Sequence, residues 1–450
     1  MSQTRSLSDL AHALIDAARA AGADAADALA VSGSSVSIDV RDGVLEQAER
    51  SEATDLGVRV FVGQRSAIIS TSDARPETFA AMAERAVAMA REAPDDPFAG
   101  LADPAQLATD TDATPLDLAD PAPEPAPADL QADAEEAEAA ARDTGLISQV
   151  QSATAGYGAR DIWLAASNGF SAGYRRTSRS RSCVAIAGEG LGMERDYDGD
   201  SRTYGADLRG AAEIGRSAAE RAAARLGAQK PPTGTYPVLF DERISSSLIG
   251  HLMVAANGAQ IARGASWLRD AKGQQVLPEG LSLVEDPTRP RISASRPFDA
   301  EGLPCTPRDV IRDGVLQGWT LDLATARKLG EAPTGNAGRG TTSGPSPSAW
   351  NLELTQGTAT RDDLIAQMGT GLIVTSMIGA TINPNTGDYS RGCSGLWVEN
   401  GTISHPVNEG TIAGSLPDML KRIVPANDAR PWLSRVVPSI LIDGMAIAGA

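Results

Sequence analysis

At the start of the chain apolar residues recur at helical spacing: Leu7, Leu10, Leu14 and Ala18 predict an amphipathic helix. The period then changes to two. Val36, Ile38 and Val40 alternate with polar residues up to a turn at Asp42-Gly43, after which a second strand is expected. Val58, Val60 and Val62 repeat the pattern with a turn near Gly63-Gln64, and "PETFAAMAERAVAMAREA" returns to helical spacing. Helix, two hairpins and helix make an α+β layer. Farther on, "ADAEEAEAAARDTG" reads as a helix, residues 145–208 as a meander of strands, and "AAEIGRSAAERAAARLG" as a closing helix. Pro231, Pro232 and Gly234 then break the pattern, and the remainder is rich in turns and strands, with a strong hairpin signal at Asn400-Gly401. The expected architecture is α+β: an N-terminal helix and antiparallel-sheet domain over residues 1–230, then a β-rich C-terminal domain over 231–450. Residues 92–141 contain no Lys or Arg, and the acidic, proline-rich part at about 92–128 reads as a solvated connection.

Composition narrows the partners. The 450 residues carry a formal net charge of −18, which disfavours phosphate backbones and anionic membrane surfaces, so neither nucleic acid nor membrane is expected as a partner. Three cysteines, Cys183, Cys305 and Cys393, lie far apart with no CxxC pair, supporting neither a disulfide framework nor a closed structural zinc site. The opening stretch keeps Asp9 and Asp16 in its periodic region and lacks a long apolar core, so a signal peptide is not expected and a cytoplasmic location is.

The candidate chemistry centres on "RISSSLIGHLMVAANG", residues 243–258, which holds His251, one of three histidines. Ile244, Leu248, Leu252, Ala255 and Ala259 form an apolar helical face, with Asp241 as the expected N-cap. A zinc-peptidase helix supplies two histidines and a general-base glutamate, whereas here Ser246 stands five residues before His251 and Ser247 follows it. His12 lies on the first helix and His405 in the hairpin "NGTISHP". A metal site of His251, His405 and Cys393, or a Cys393 nucleophile with His405 as base, stays open on the residues alone, although Cys393 in an alternating strand reads more simply as packing. "APTGNAGRGTTSG" lacks the strand, helix and GK[ST] ending of a phosphate loop. Arg175, Arg176, Arg179 and Arg181 could bind a carboxylate or phosphate, but a solvent-facing strand paired with acidic neighbours is the expectation. No complete catalytic constellation emerges.

Several stretches in one order carry a resemblance: "GAQIARGASWLRDAKGQQV", "SASRPFDAEGLP", "DLATARKLGEAPTGNAGRG", "MGTGLIVTSMIGATINPNTGDYSRGCSGLWVENGTISHPVNEGTIAGSLPDML" and "PSILIDGMAIAG". With the N-terminal "GVLEQAERSEATDLGVRVFVGQRSAIIST", they resemble the TldD/PmbA family over nearly the whole chain. The resemblance implies a heteromeric metallopeptidase that clips small or unfolded peptides. TldD-type subunits carry an HExxxH zinc motif and a cysteine ligand near the C-terminus, and PmbA (TldE) subunits lack them. Set against that motif, Ser246 takes the first histidine position, Ser247 the glutamate and His251 the second histidine, while "PANDARPWLSRVVPSILID" contains no cysteine. Two helical positions five apart point about 140° apart, so a ligand pair there needs a distorted turn, which Gly250 would permit. The implied role is a PmbA/TldE-type subunit with no metal or cofactor of its own, zinc being expected in a TldD-type partner and a peptide as substrate. An independent hydrolase or a non-enzymatic peptide-binding adaptor are the alternatives.

Overall fold

A computed structural model describes residues 6–449. Its N-terminal half is built from α1 (Leu7–Ala20), β1 (Ala25–Arg41), β2 (Val44–Val62), β3 (Arg65–Thr71), α2 (Phe79–Glu92), α3 (Pro127–Asp143), β4 (Gln149–Ala166), β5 (Ser171–Ala187), β6 (Glu194–Arg202) and α4 (Ala211–Ala223). The strands form one antiparallel sheet in the order β3-β2-β1-β4-β5-β6. The predicted turn between β1 and β2 is present, with Asp42 and Gly43 at φ 55° and 71°, the doubly left-handed geometry that matches strand twist.

Alternation along β1 assigns the two faces of this sheet. Ala26, Ala28 and Ala30 pack under α1 and α2 with Leu14, Val58 and Phe79. Val36, Ile38 and Val40, on the same face, pack under α3 and α4 with Leu130 and Ile214. The small residues on α1 to α4 let the helices lie close to the sheet. The opposite face, with Leu29 and Leu164, meets Phe298 of the C-terminal half.

That half begins with β7 (Gly234–Phe240) and α5 (Glu242–Ala255). Strands β8 (Gly371–Ile382), β9 (Asp388–Glu399), β10 (Thr402–Ser415) and β11 (Ile440–Ala448) join β7 in the main sheet, with the short strand Val424–Pro425 paired to β11. β7 lies parallel to β8 and antiparallel to β11, and β10 pairs with both β9 and β11, so five strands close into a ring. Closure removes the exposed edges an open sheet would present. Asn400 and Gly401, at φ 51° and 72°, make the predicted turn between β9 and β10. A second sheet pairs Leu283–Glu285 with Arg308–Arg312 and Leu352–Leu354, and the latter with Arg435–Val436.

The acidic segment differs from the expected solvated connection. Ala102, Leu116 and Leu118 are buried, and backbone bonds tie Ala108 to Gly302 and Leu116 to Arg291. It therefore serves as a strap between the halves: Ala102 packs with Leu303 and Leu323 of the C-terminal half, and the Leu118 carbonyl accepts from the Thr177 N–H of β5. Beside the apolar contact of Leu29 and Leu164 with Phe298, the seam is ionic. Arg59 donates to Asp27 at 2.8 Å, Arg339 donates to the same carboxylate, and Glu301 lies 4.0 Å from Arg59. A Cβ on Gly57 would overlap the Thr341 carbonyl, so glycine lets the segment carrying Arg339 approach β2. Among the described residues, no helix is long and apolar enough to cross a membrane.

Candidate functional site

Helix α5 is held at its start as the sequence predicts: Asp241 accepts from the Arg243 backbone N–H at 3.2 Å. The Arg243 side chain reaches Asp241 at 3.2 Å and Asp196 of the N-terminal sheet at 3.1 Å, while Glu242 pairs with Arg430. Leu248, Ile249 and Leu252 are fully buried, leaving Ser246, Ser247 and His251 on half-buried positions. The helix runs through Gly250 without interruption. An undistorted turn points Ser246 and His251 apart, so these two positions do not converge on one point. Gly250 has a different use: a Cβ there would stand 3.1 Å from Arg435 Nη1, so the missing side chain leaves room for that guanidinium.

His251 stacks edge-on against Tyr389 of β9, with ring centroids 5.9 Å apart. Its Nε2 and the Ser247 Oγ are buried without hydrogen-bond partners. Burial lowers the His251 pKa, and the positive charges of Arg391 and Arg435 lower it further, so the imidazole is neutral near pH 7. Arg391 is steadied by the Gly379 carbonyl at 2.6 Å. A zinc ion at His251 would meet hydroxyls where a second imidazole and a carboxylate are required, and two guanidinium charges besides. The residues present do not fit the metal. Among the described residues, no group of three or more His, Cys, Asp or Glu side chains is placed to hold a metal ion.

The other candidates are separated by register. Cys393 lies opposite Gly410 and His405 opposite Trp397, which sets the two about four residues, roughly 13 Å, apart along the ladder. The Cys393 side chain is buried, and burial pushes its thiol up to about 11, far from a thiolate at neutral pH. His405 contacts Ser404 through Nδ1 at 3.1 Å, and His12 contacts the Ser8 carbonyl at 2.8 Å. Of the arginine cluster, Arg175 pairs with Asp161, and Arg179 and Arg181 pair with Asp133, as a strand with acidic neighbours should. Arg176 departs from this: it donates to the carbonyls of Ser293 and Ser295, both at 2.6 Å, across the seam. The glycine-rich "APTGNAGRGTTSG" is likewise a seam element, since Ala337 N–H and Arg339 both bind carboxylates there. Arg391 and Arg435 were not singled out by sequence, because the residues around them carry no signal that they meet at His251.

Comparisons with known proteins cover the whole of this architecture. The family described as PmbA/TldA metallopeptidase matches through its domain 1 at residues 26–90, its central domain at 120–226 and its C-terminal domain at 233–449. Metalloprotease PmbA of Escherichia coli O157:H7 is 35% identical over 92% of this chain and 90% of its own. A solved structure from Bacteroides thetaiotaomicron, 28% identical, superimposes with a TM-score of 0.87 over 98% of both chains. TldE from Thermococcus kodakarensis, 19% identical, shares the fold with a TM-score of 0.83 over 97% of this chain and 99% of its own. The chain belongs to the PmbA/TldD metallopeptidase family.

Proposed function

We propose that this chain is the zinc-free, non-catalytic subunit of a cytoplasmic TldD–TldE-type peptidase that processes small or unfolded peptides. The observation that carries the reading is α5: Ser246 and Ser247 stand where a ligand and a general base are needed, and His251 faces Arg391 and Arg435 in place of a metal. A TldD-type partner with an intact HExxxH supplies the metal-activated water. This chain's closed ring and its sheet complete the chamber in which a peptide is held, with an added strand as the binding mode.

The test is reconstitution. Cleavage of an unfolded peptide is measured with this chain, with its cognate HExxxH-bearing partner, and with the two mixed. The mixture is expected to exceed the sum of the separate activities at least about tenfold, a barrier difference of about 1.4 kcal/mol. Full activity of the partner alone would remove the subunit role.

A further inference from the structure

A cavity of about 1240 Å³ lies between the free face of the N-terminal sheet and the C-terminal half, and nothing in the reading of α5 uses it. Its floor is small and polar, with Gly33, Ser35, Gly158 and Ser178, so that a ligand can approach the strands closely. Its walls hold six arginines: Arg160, Arg176, Arg202, Arg291, Arg296 and Arg339. In a chain of net charge −18 this is a local reversal of sign.

Three of the six are answered by carboxylates. Arg202 pairs with Asp200 at 2.9 Å, Arg291 with Asp117 at 2.7 Å and Asp207 at 3.2 Å, and Arg339 shares Asp27 with Arg59. Even so, the Arg339 side chain is fully buried and leaves Nε and Nη2 without partners. Arg160, Arg176 and Arg296 have no ion-pair partner among the described residues. Arg176 keeps a buried, unpartnered Nε beside its two carbonyl contacts, and Arg296 lies over the Trp350 ring at 3.5 Å. Burial lowers the Arg176 pKa, and Arg296 and Arg160 lower it further against the opposing influence of Tyr174, so these like charges are near enough to repel. The acids in the wall offset them only in part, the Arg296 guanidinium being close enough to Asp299 to lower its pKa. Asp207 belongs to Arg291, Asp55 is exposed at the rim, and Asp299 accepts from the backbone N–H groups of Glu301, Leu303 and Ala337. Burial raises the Asp299 pKa to about 6.

Guanidinium groups match carboxylates with paired, parallel hydrogen bonds, and unpaired ones in a concave site are costly without an anion. The volume exceeds the roughly 300–1,000 Å³ typical of small-molecule pockets, leaving room for several residues of an extended chain. We infer that this cavity binds the carboxylates of an acidic peptide, with Arg160 and Arg296 as the donors that reach it and Arg176 and Arg339 as fixed positive charge behind them. The choice of a peptide over a free inorganic anion rests on the proposed peptide-handling role; the sign of the ligand's charge does not.

The experiment is fluorescence anisotropy with the full chain and a labelled peptide of alternating Glu and Ser, compared with the same peptide carrying Gln for Glu. The Glu peptide is expected to bind at least about tenfold more tightly than the Gln peptide, and binding should weaken with salt. Arg160→Gln with Arg296→Gln is expected to lose about tenfold in affinity. Because Arg296 also stacks on Trp350, Arg160→Gln alone, at an exposed side chain, supplies a variant that keeps the fold; about threefold weaker binding is expected. Equal binding of the two peptides, or unchanged affinity in Arg160→Gln, would overturn the inference. Displacement of the Glu peptide by inorganic phosphate at concentrations far below those of free glutamate would assign the site to phosphate instead and overturn the carboxylate choice. The assay needs neither partner nor metal, so its failure leaves the reconstitution result untouched, and the reverse also holds.

Discussion

At the seam between the halves, Arg59 and Arg339 close on one buried carboxylate, Asp27; beside α5, Arg391 and Arg435 flank His251 with no ion-pair partner among the described residues. The residue types are the same and the surroundings are not. The seam charges are dry and meet on one carboxylate, although Arg339 keeps Nε and Nη2 without partners, and they fix how the sheet meets the C-terminal half. The charges at α5 are half-buried or exposed and have no ion-pair partner among the described residues, Arg391 being held by the Gly379 carbonyl, and the hydroxyl and imidazole between them are unpartnered. The difference separates charges that join the two halves from charges that flank α5: substitutions at the seam should destabilise the molecule strongly, and substitutions at Ser246, Ser247 and His251 should be felt far less.

The largest effect is expected at Asp27. Asp27→Asn leaves two buried guanidinium groups facing a neutral amide, and breaking such a pair from one side costs about 3–5 kcal/mol. Urea unfolding measures it, and a loss below about 1 kcal/mol would show that the seam is not what joins the halves.

The seam also predicts a pH dependence. Burial, then the neighbouring Asp299, raises the Glu301 pKa from 4.5 to about 8 against the attraction of Arg59. A folded-state pKa above the unfolded value contributes stability that is fully present below 4.5 and is lost as pH rises through about 8. Thermal stability should therefore fall between about pH 4.5 and about pH 8 and level off above. Glu301→Gln keeps a carbonyl acceptor for the Leu323 N–H, bound at 2.8 Å in the parent, and should flatten that slope. An unchanged slope would place the titrating group elsewhere.

The smallest effect is expected at Ser247. Ser247→Ala removes a buried hydroxyl that has no partner, so stability should stay within about 1 kcal/mol and move upward. A loss of several kcal/mol would reveal a bond that the hydroxyl makes in solution.

Local signals in the sequence located the elements well. The turns at Asp42-Gly43 and Asn400-Gly401 and the capping of α5 by Asp241 were legible because each depends on a few adjacent residues. Closure of the ring was not, since β11 returns at the end of the chain to pair with β7, and no period or turn records a partner that distant. The seam was invisible for the same reason: Arg339 and Asp27 are 312 residues apart. At the candidate site, Ser246, Ser247 and His251 were placed on their helix correctly, but not the arginines around them. For the cluster at Arg175–Arg181, a strand with acidic neighbours describes Arg175, Arg179 and Arg181; Arg176 differs because its neighbours across the seam are carbonyls.

The proposed role requires that α5 supports no hydrolysis by this chain itself. The most direct measurement is cleavage of an unfolded peptide by the purified chain alone, with and without a metal chelator. A rate indistinguishable from buffer is expected in both conditions, and the same rate for His251→Ala. Cleavage that disappears with chelator and with His251→Ala would contradict it.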